Sequence, residues 1–380
     1  MSLLTARVFT KHTMSQDNPT VESVINFSDI KLNTALAYTL RSMPRGKDYD
    51  QPINNSCNVP FRHVTVDSNS DCLLCYCDGW LPVSVGQVTD FDTLQDIWTS
   101  PIAKMLQNDI QQKKFTWCAV QHCGVINHDV NREHYSLNIN IDDSCNLACP
   151  SCRRETRMLS QGSEYDKKIL HVDRILTWLD KFEHPIRVSF GGNGDALASH
   201  IFRNLIKNYR YKFGQTFQIT TNGLLLKKVI ENSAIRPAID VFSVSVDAGT
   251  QKVYENVRRP GKWSTLLENL EWLSCNRKNS YVQLNFVVQK NNFRDLPAFV
   301  DLCARFQFNG TVTPLNDWGT WNSQPVANPD AWTLANGTYL EHDVTNPEHP
   351  EHTDFVTTLH SVRERNLNFI SFNPFFEKFL

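Results

Sequence analysis

The run SLNINIDDSCNLACPSC (residues 136–152) passes from an alternating apolar and polar stretch into three cysteines, Cys145, Cys149 and Cys152. Alternation of that kind predicts a strand over 136–142, with the cysteines in the loop that follows it. Thiolates are soft ligands suited to iron–sulfur clusters. A cubane cluster holds four irons, so three cysteines leave one iron without a protein ligand. Such an open iron is what a substrate-activating cluster needs and what a pure electron carrier avoids. Structural zinc takes four closed ligands, and no fourth residue stands near these three at the usual spacing.

Outward from this loop the chain alternates between short β-rich runs and helical patterns. Further strands are predicted at 186–192, 215–223, 240–247, 281–289 and 309–315, with amphipathic helices at 167–182, 200–209, 265–275 and 295–306. Six β/α units in a row imply an α/β fold built on a parallel sheet. No dinucleotide glycine pattern follows the first strand, which favours a partial (β/α)6 barrel over a Rossmann sheet. Chemistry in such folds gathers at the C-terminal ends of the strands, and the unusual motifs all fall there. Residues 322–352 are proline-rich and polar, and a last helix is predicted over 354–366. The implied division is an N-terminal segment (1–56), a cysteine-rich domain (57–130), the barrel (131–320) and a C-terminal segment with a helix (321–380).

A Cys-x3-Cys-x2-Cys loop after the first barrel strand resembles the hallmark of the radical S-adenosylmethionine (radical SAM) superfamily. That resemblance implies a [4Fe–4S] cluster on Cys145, Cys149 and Cys152, with S-adenosylmethionine (SAM) chelated at the open iron. It further implies that Gly191, Gly192, Asn193 and Asp195, in SFGGNGDAL, surround the methionine ammonium; Asn193 stands where the family has Glu. Asn222, in TTNG, closes the third strand. Ser245 and Asp247 would lie near the ribose, Arg258 would meet the SAM carboxylate, and Val287 and Val288 would approach the adenine. Read alone, Asp247 is equally a helix cap and Arg258 a solvated surface residue. The family's aromatic residue before the third cysteine is replaced by Ser151.

Nine of the eleven cysteines lie between Cys57 and Cys152. The segment CNVPFRHVTVDSNSDCLLCYC, continued through DTLQDIWTSP to Cys118 and Cys123, resembles the SPASM and twitch domains. The resemblance implies a second, auxiliary [4Fe–4S] cluster on Cys57, Cys75, Cys118 and Cys123, with Cys77 a competitor for Cys75 and Cys72 replacing an apolar strand residue. Four thiolates serve zinc equally well. The domain here precedes the barrel, whereas in the family it follows it. Cys275 and Cys303, in helical patterns, read as buried inert thiols.

The implied activity is reductive cleavage of SAM to a 5′-deoxyadenosyl radical and abstraction of a substrate hydrogen atom. With an auxiliary cluster, this becomes oxidative modification or crosslinking of a peptide or protein; a dehydrogenase acting on a sugar or other small molecule is the alternative. Asp317, after the sixth strand, is the candidate for taking the coupled proton, though read alone it is better taken as a turn residue. An electron donor such as flavodoxin or ferredoxin is implied as a partner. The formal net charge of −2 gives no basic surface for nucleic acid. No apolar run reaches membrane-spanning length and the first residues do not read as a secretory signal, so a cytoplasmic protein is expected. A non-catalytic iron–sulfur carrier or a zinc-stapled binding module remain the readings of another class.

Overall fold

The computed structural model describes residue 46 and residues 56–76, 81–120, 123, 134–192, 194–316 and 338–379. Cys77, Asn193 and Asp317 lie outside the described residues. Among the described residues the strands form a single ten-stranded sheet.

Its middle is the predicted α/β alternation. Strand β4 (Tyr135–Ile139) is followed in order across the sheet by β5 (Ile186–Phe190), β6 (Gln215–Thr221), β7 (Ile239–Ser245), β8 (Tyr281–Val288) and β9 (Asn309–Pro314). Every pair among these six is parallel. Each strand sends one face to the core and one inward. In β6 the residues alternate, with Gln215, Phe217, Ile219 and Thr221 buried and Thr216, Gln218 and Thr220 half-buried. The buried set meets the connecting helices: Phe190 of β5 lies 5.6 Å, ring centroid to centroid, from Phe202 of the following helix, and Phe286 of β8 lies 5.0 Å from Phe299. Burying one such side chain contributes about 1.5–3 kcal/mol. The half-buried set is mostly neutral and polar, as in Ser189, Gln218, Ser243, Gln283, Asn285 and Thr311, with the charged pair Arg187 and Asp240 among the exceptions. A period of two residues sorts the two kinds of side chain onto opposite faces.

The connecting helices run longer or more numerous than the patterns predict. The chain before β4 contributes α1 (Leu94–Thr99) and α2 (Pro101–Gln111), and the barrel contributes α3 (Ser163–Lys181), α4 (His200–Asn208) and α5 (Leu226–Ile230). Two helices, α6 (Gln251–Val257) and α7 (Trp263–Asn276), follow β7, and α8 (Leu296–Phe306) follows β8. Beyond β9 come α9 (Tyr339–His342) and α10 (His352–Arg363).

Both edges of the sheet hold strands that periodicity did not reveal. The cysteine-rich region supplies β1 (His63–Val66), β2 (Asp71–Leu73) and β3 (Ser84–Gln87). β1 pairs parallel with β4, His63 opposite Ser136 and Val66 opposite Ile139, and β2 and β3 continue antiparallel beyond it. At the far edge β10 (Ile370–Phe372), from the aromatic C-terminal stretch, pairs parallel with β9. Short strands such as these carry too few residues to show a period.

Candidate iron–sulfur and SAM site

The loop after β4 is held from several directions. Asp142, wholly buried, accepts hydrogen bonds from the Ser144 N–H (3.1 Å) and hydroxyl (2.9 Å), and from the Ser199 hydroxyl (2.5 Å). Lys168 of α3 donates to the Ile141 carbonyl at 2.8 Å. The cysteine loop closes on itself through an antiparallel bridge: Cys145 N–H donates to Arg157 O (2.7 Å) and Arg157 N–H to Cys145 O (3.1 Å). Arg157 also pairs with Asp143 at 3.0 Å, while Arg153 donates to the Asp143 carbonyl at 2.9 Å. Ala148 N–H reaches the Arg259 carbonyl at 2.7 Å, joining this loop to the segment beyond β7.

The glycines after β5 are there for close approach. Gly192 has φ +103°, and a Cβ on it would stand 2.6 Å from Cβ of Asn140; one on Gly194 would stand 2.4 Å from the Ser144 carbonyl oxygen. Neither space admits a side chain, so the backbone of this loop lies against the cysteine loop. Asp195 N–H donates to Ser144 O at 2.8 Å. The Asp195 carboxylate, buried, accepts from Leu197 N–H (2.9 Å), Ala198 N–H (3.0 Å), the Thr221 hydroxyl (2.9 Å) and Asn222 N–H (2.5 Å). Four donors fill a carboxylate's lone-pair directions. Asp195 thus ties the β5 and β6 loops together. Burial pushes its carboxyl upward, against the pull of these donors.

Asn222 donates its amide to Asn146 Oδ1 at 2.8 Å, so TTNG touches the residue next to Cys145. Asn146 escaped the sequence reading because nothing local marks it; its partner lies on another strand. Asp247 adopts φ +58°, accepts from Val287 N–H at 2.8 Å and pairs with Arg258 at 2.6 Å. Arg258 Nη1 also lies 3.8 Å from Cys149 Sγ. Ser245 ends β7 on the inner, half-buried face. The two adjacent valines diverge. Val288 is wholly buried on the face of Phe286, toward α8, whereas Val287 is half-buried and packs with Leu315 and Tyr339. Strand alternation turns Val287, of the pair, to the inward face.

Among the described residues no disulfide joins any two of the ten cysteines. Cys145 is pushed up to about 12 by burial and by Asp195, against Arg153; burial also raises Cys149, against Arg258. In the N-terminal group, Cys57 is pushed up to about 11, first by burial and also by nearby Cys123. Cys75 is half-buried, and its carbonyl accepts from the Thr65 hydroxyl at 2.9 Å. Cys72 lies in β2 opposite Val66, wholly buried and raised well above the ordinary thiol range. Among the described residues no three His, Cys, Asp or Glu side chains converge as around a single metal ion. The donor set after β4 suits a larger group: Leu147 N–H and Arg258 both aim at cysteine sulfurs, two buried polar atoms, Arg258 Nε and Tyr254 Oη, have no partner, and Cys149 is among the groups whose charge acts on the Tyr254 phenol.

The model of the radical SAM superfamily matches residues 139–303, and that of SPASM, an iron–sulfur cluster-binding domain, matches 57–124. The chain carries a radical SAM domain preceded by a SPASM domain. Curated relatives of the radical SAM domain include a probable GTP 3′,8-cyclase of Methanococcus maripaludis, 24% identical over 46% of this chain and 56% of its own length. Another is an Fe-coproporphyrin III synthase of Methanosarcina barkeri, 24% identical over 43% of this chain and 39% of its own. The chain thus matches about half the length of such relatives or less. Among solved structures, Streptococcus suis SuiB bound to S-adenosylmethionine is 16% identical with a TM-score of 0.37, covering 63% of this chain and 49% of that one. Native anSMEcpe with bound AdoMet is 18% identical with a TM-score of 0.40, covering 64% of both. Both domains imply [4Fe–4S] clusters. Among the described residues no helix is long and apolar enough to cross a membrane.

Proposed function

We propose that the radical SAM domain cleaves SAM reductively and that the enzyme uses the resulting radical for oxidative modification of a peptide or protein. The observation that carries the reading is the three-cysteine loop bound into the ends of the β5, β6 and β7 segments through Asp195, Asn222 and Arg259. When bound, a [4Fe–4S] cluster with one open iron supplies the electron that splits SAM into methionine and a 5′-deoxyadenosyl radical, which removes a substrate hydrogen atom. Cys145, Cys149 and Cys152 would hold it, and Cys57, Cys75, Cys118 and Cys123 would hold the auxiliary cluster. Gly191, Gly192 and Gly194 bring backbone rather than side chains to the neighbouring space, and Ser245 and Val287 lie on the inner face of their strands.

The inner face supports a substrate rich in amides or hydroxyls. Arg187 is the one Lys or Arg in the six parallel strands, and it pairs with Asp240 at 2.7 Å. A nucleoside triphosphate would require cationic groups that these strands do not offer. A sugar or other hydroxylated small molecule fits the same face and is the second reading. The test is anaerobic reconstitution with iron and sulfide, then SAM cleavage under dithionite. About eight irons per chain and formation of 5′-deoxyadenosine are expected; well-folded protein holding zinc and producing none would defeat the enzyme reading. Stimulation of 5′-deoxyadenosine formation by a peptide rather than by a sugar decides between the two substrate classes.

A further inference from the structure

Tyr254 and Arg258 leave the α6 region four residues apart, so their side chains share one side of the helix. Arg258 caps it, its N–H donating to the Tyr254 carbonyl at 2.8 Å. Neither side chain is free to wander. The Tyr254 ring is wholly buried, lies 5.5 Å from the Trp263 ring, and is met by Gly261, where a Cβ would stand 3.1 Å from the hydroxyl. The guanidinium of Arg258 is set by Asp247, which takes Nη2 at 2.6 Å and is itself fixed by Val287 N–H. This arrangement aims Nη1 at Cys149 Sγ, 3.8 Å away.

What remains on this side of Cys149 is a pair of donors without acceptors, Arg258 Nε and Tyr254 Oη. A buried donor left unsatisfied costs on the order of 1–3 kcal/mol, and two together beside one cysteine mark a place where acceptors arrive. Cluster sulfides and thiolates are such acceptors. A SAM carboxylate is the competing occupant, but Asp247 already supplies a carboxylate to Nη2, and Nη1 points at Cys149 Sγ.

We propose that Arg258 and Tyr254 donate hydrogen bonds to the cluster sulfurs around Cys149, and that Arg258 sets the cluster's reduction potential instead of receiving the SAM carboxylate. The inference rests on Cys145, Cys149 and Cys152 being the cluster ligands. Reduction adds one negative charge to the cluster, and a guanidinium and a phenol aimed at its sulfurs stabilise that charge. Removing either donor therefore makes reduction harder. Both act as positioning and tuning residues, with no contact to substrate assigned to them.

The experiment compares reconstituted wild type with Arg258→Gln, Arg258→Lys and Tyr254→Phe in redox titrations monitored by electron paramagnetic resonance. The signal followed is the one that changes when SAM is added, which separates this cluster from the auxiliary one. SAM affinity is measured separately on the oxidised proteins. In Arg258→Gln the reduced-to-oxidised ratio at a fixed potential is expected to fall about tenfold, equivalent to 59 mV for a one-electron couple. A smaller fall in the same direction is expected for Tyr254→Phe, and Arg258→Lys should lie between Arg258→Gln and wild type. SAM affinity should stay within about twofold of wild type, less than 0.5 kcal/mol. An unchanged potential with weakened SAM binding would overturn the proposal and return Arg258 to the carboxylate. An unchanged potential with unchanged binding would overturn it too. Should Arg258→Gln fail to take up iron, Tyr254→Phe removes a single oxygen and decides alone. A wild-type protein with no SAM-responsive signal would instead sink the cluster assignment itself.

Discussion

The two cysteine groups lie at opposite ends of the same strand pair. β1 and β4 run parallel and in register; Cys57 precedes β1, whereas Cys145 follows β4. Cys75, after the antiparallel β2, returns to the end from which β1 starts. Their surroundings differ as well. Guanidinium groups of Arg153, Arg157 and Arg258 pack against the loop after β4. Around Cys75, Thr65 donates to its carbonyl, His63 bonds to both Thr65 and Ser136 at 2.8 Å, and Tyr76 reaches Ser136 at 3.1 Å. Burial raises thiols at both ends; on the β4 side Arg153 opposes it at Cys145 and Arg258 at Cys149. Cationic compensation belongs where a cluster must accept an electron and bind a charged cosubstrate.

Substitutions should separate the two ends. Changing Cys145, Cys149 and Cys152 to Ala is expected to reduce 5′-deoxyadenosine formation to background while leaving about four irons bound. Changing Cys57 and Cys75 should remove the other four and leave uncoupled SAM cleavage in place. Loss of cleavage in both sets would erase the contrast. Asp195→Ala removes an acceptor shared by four donors on the β4 side; a loss of about 3 kcal/mol in denaturant unfolding is expected, and a loss below 1 kcal/mol would show the loops to be held otherwise.

Two smaller effects sharpen the comparison. Ligation requires thiolates, while burial holds Cys57 and Cys145 protonated up to about 11 and about 12, so iron binding releases protons. Apparent iron affinity should therefore rise with pH, by up to about tenfold per unit for each proton released, between pH 7 and 9. Iron uptake that is flat across this range would mean that the thiols are already ionised. Gly192→Ala forces a side chain into φ +103° and against Asn140, and should weaken SAM binding about tenfold with no change in auxiliary iron. Unchanged SAM affinity would remove the glycine loop from the site.

Much of the β4 end was legible because its signals are local. The spacing of Cys145, Cys149 and Cys152, the glycines at 191, 192 and 194, and the alternation of six strands all occupy short windows. Asn146 with Asn222, the four donors on Asp195 and the Arg258 contact to Cys149 were not legible. Each joins segments distant in sequence, and a side chain's partner across such a gap leaves no periodic trace.

The linear order of residues thus determined that thiolate chemistry would sit after a strand of a parallel α/β sheet, since hydrophobic period and ligand spacing are properties of neighbouring residues. Tertiary structure alone decided that β1 would extend that sheet and set the second cysteine group at its other end, and that β10 would close the far edge. It also decided which of Val287 and Val288 faces inward and what Arg258 touches. Those outcomes depend on strand pairing, register and burial, which arise only when remote segments compete for the same hydrogen bonds and the same core.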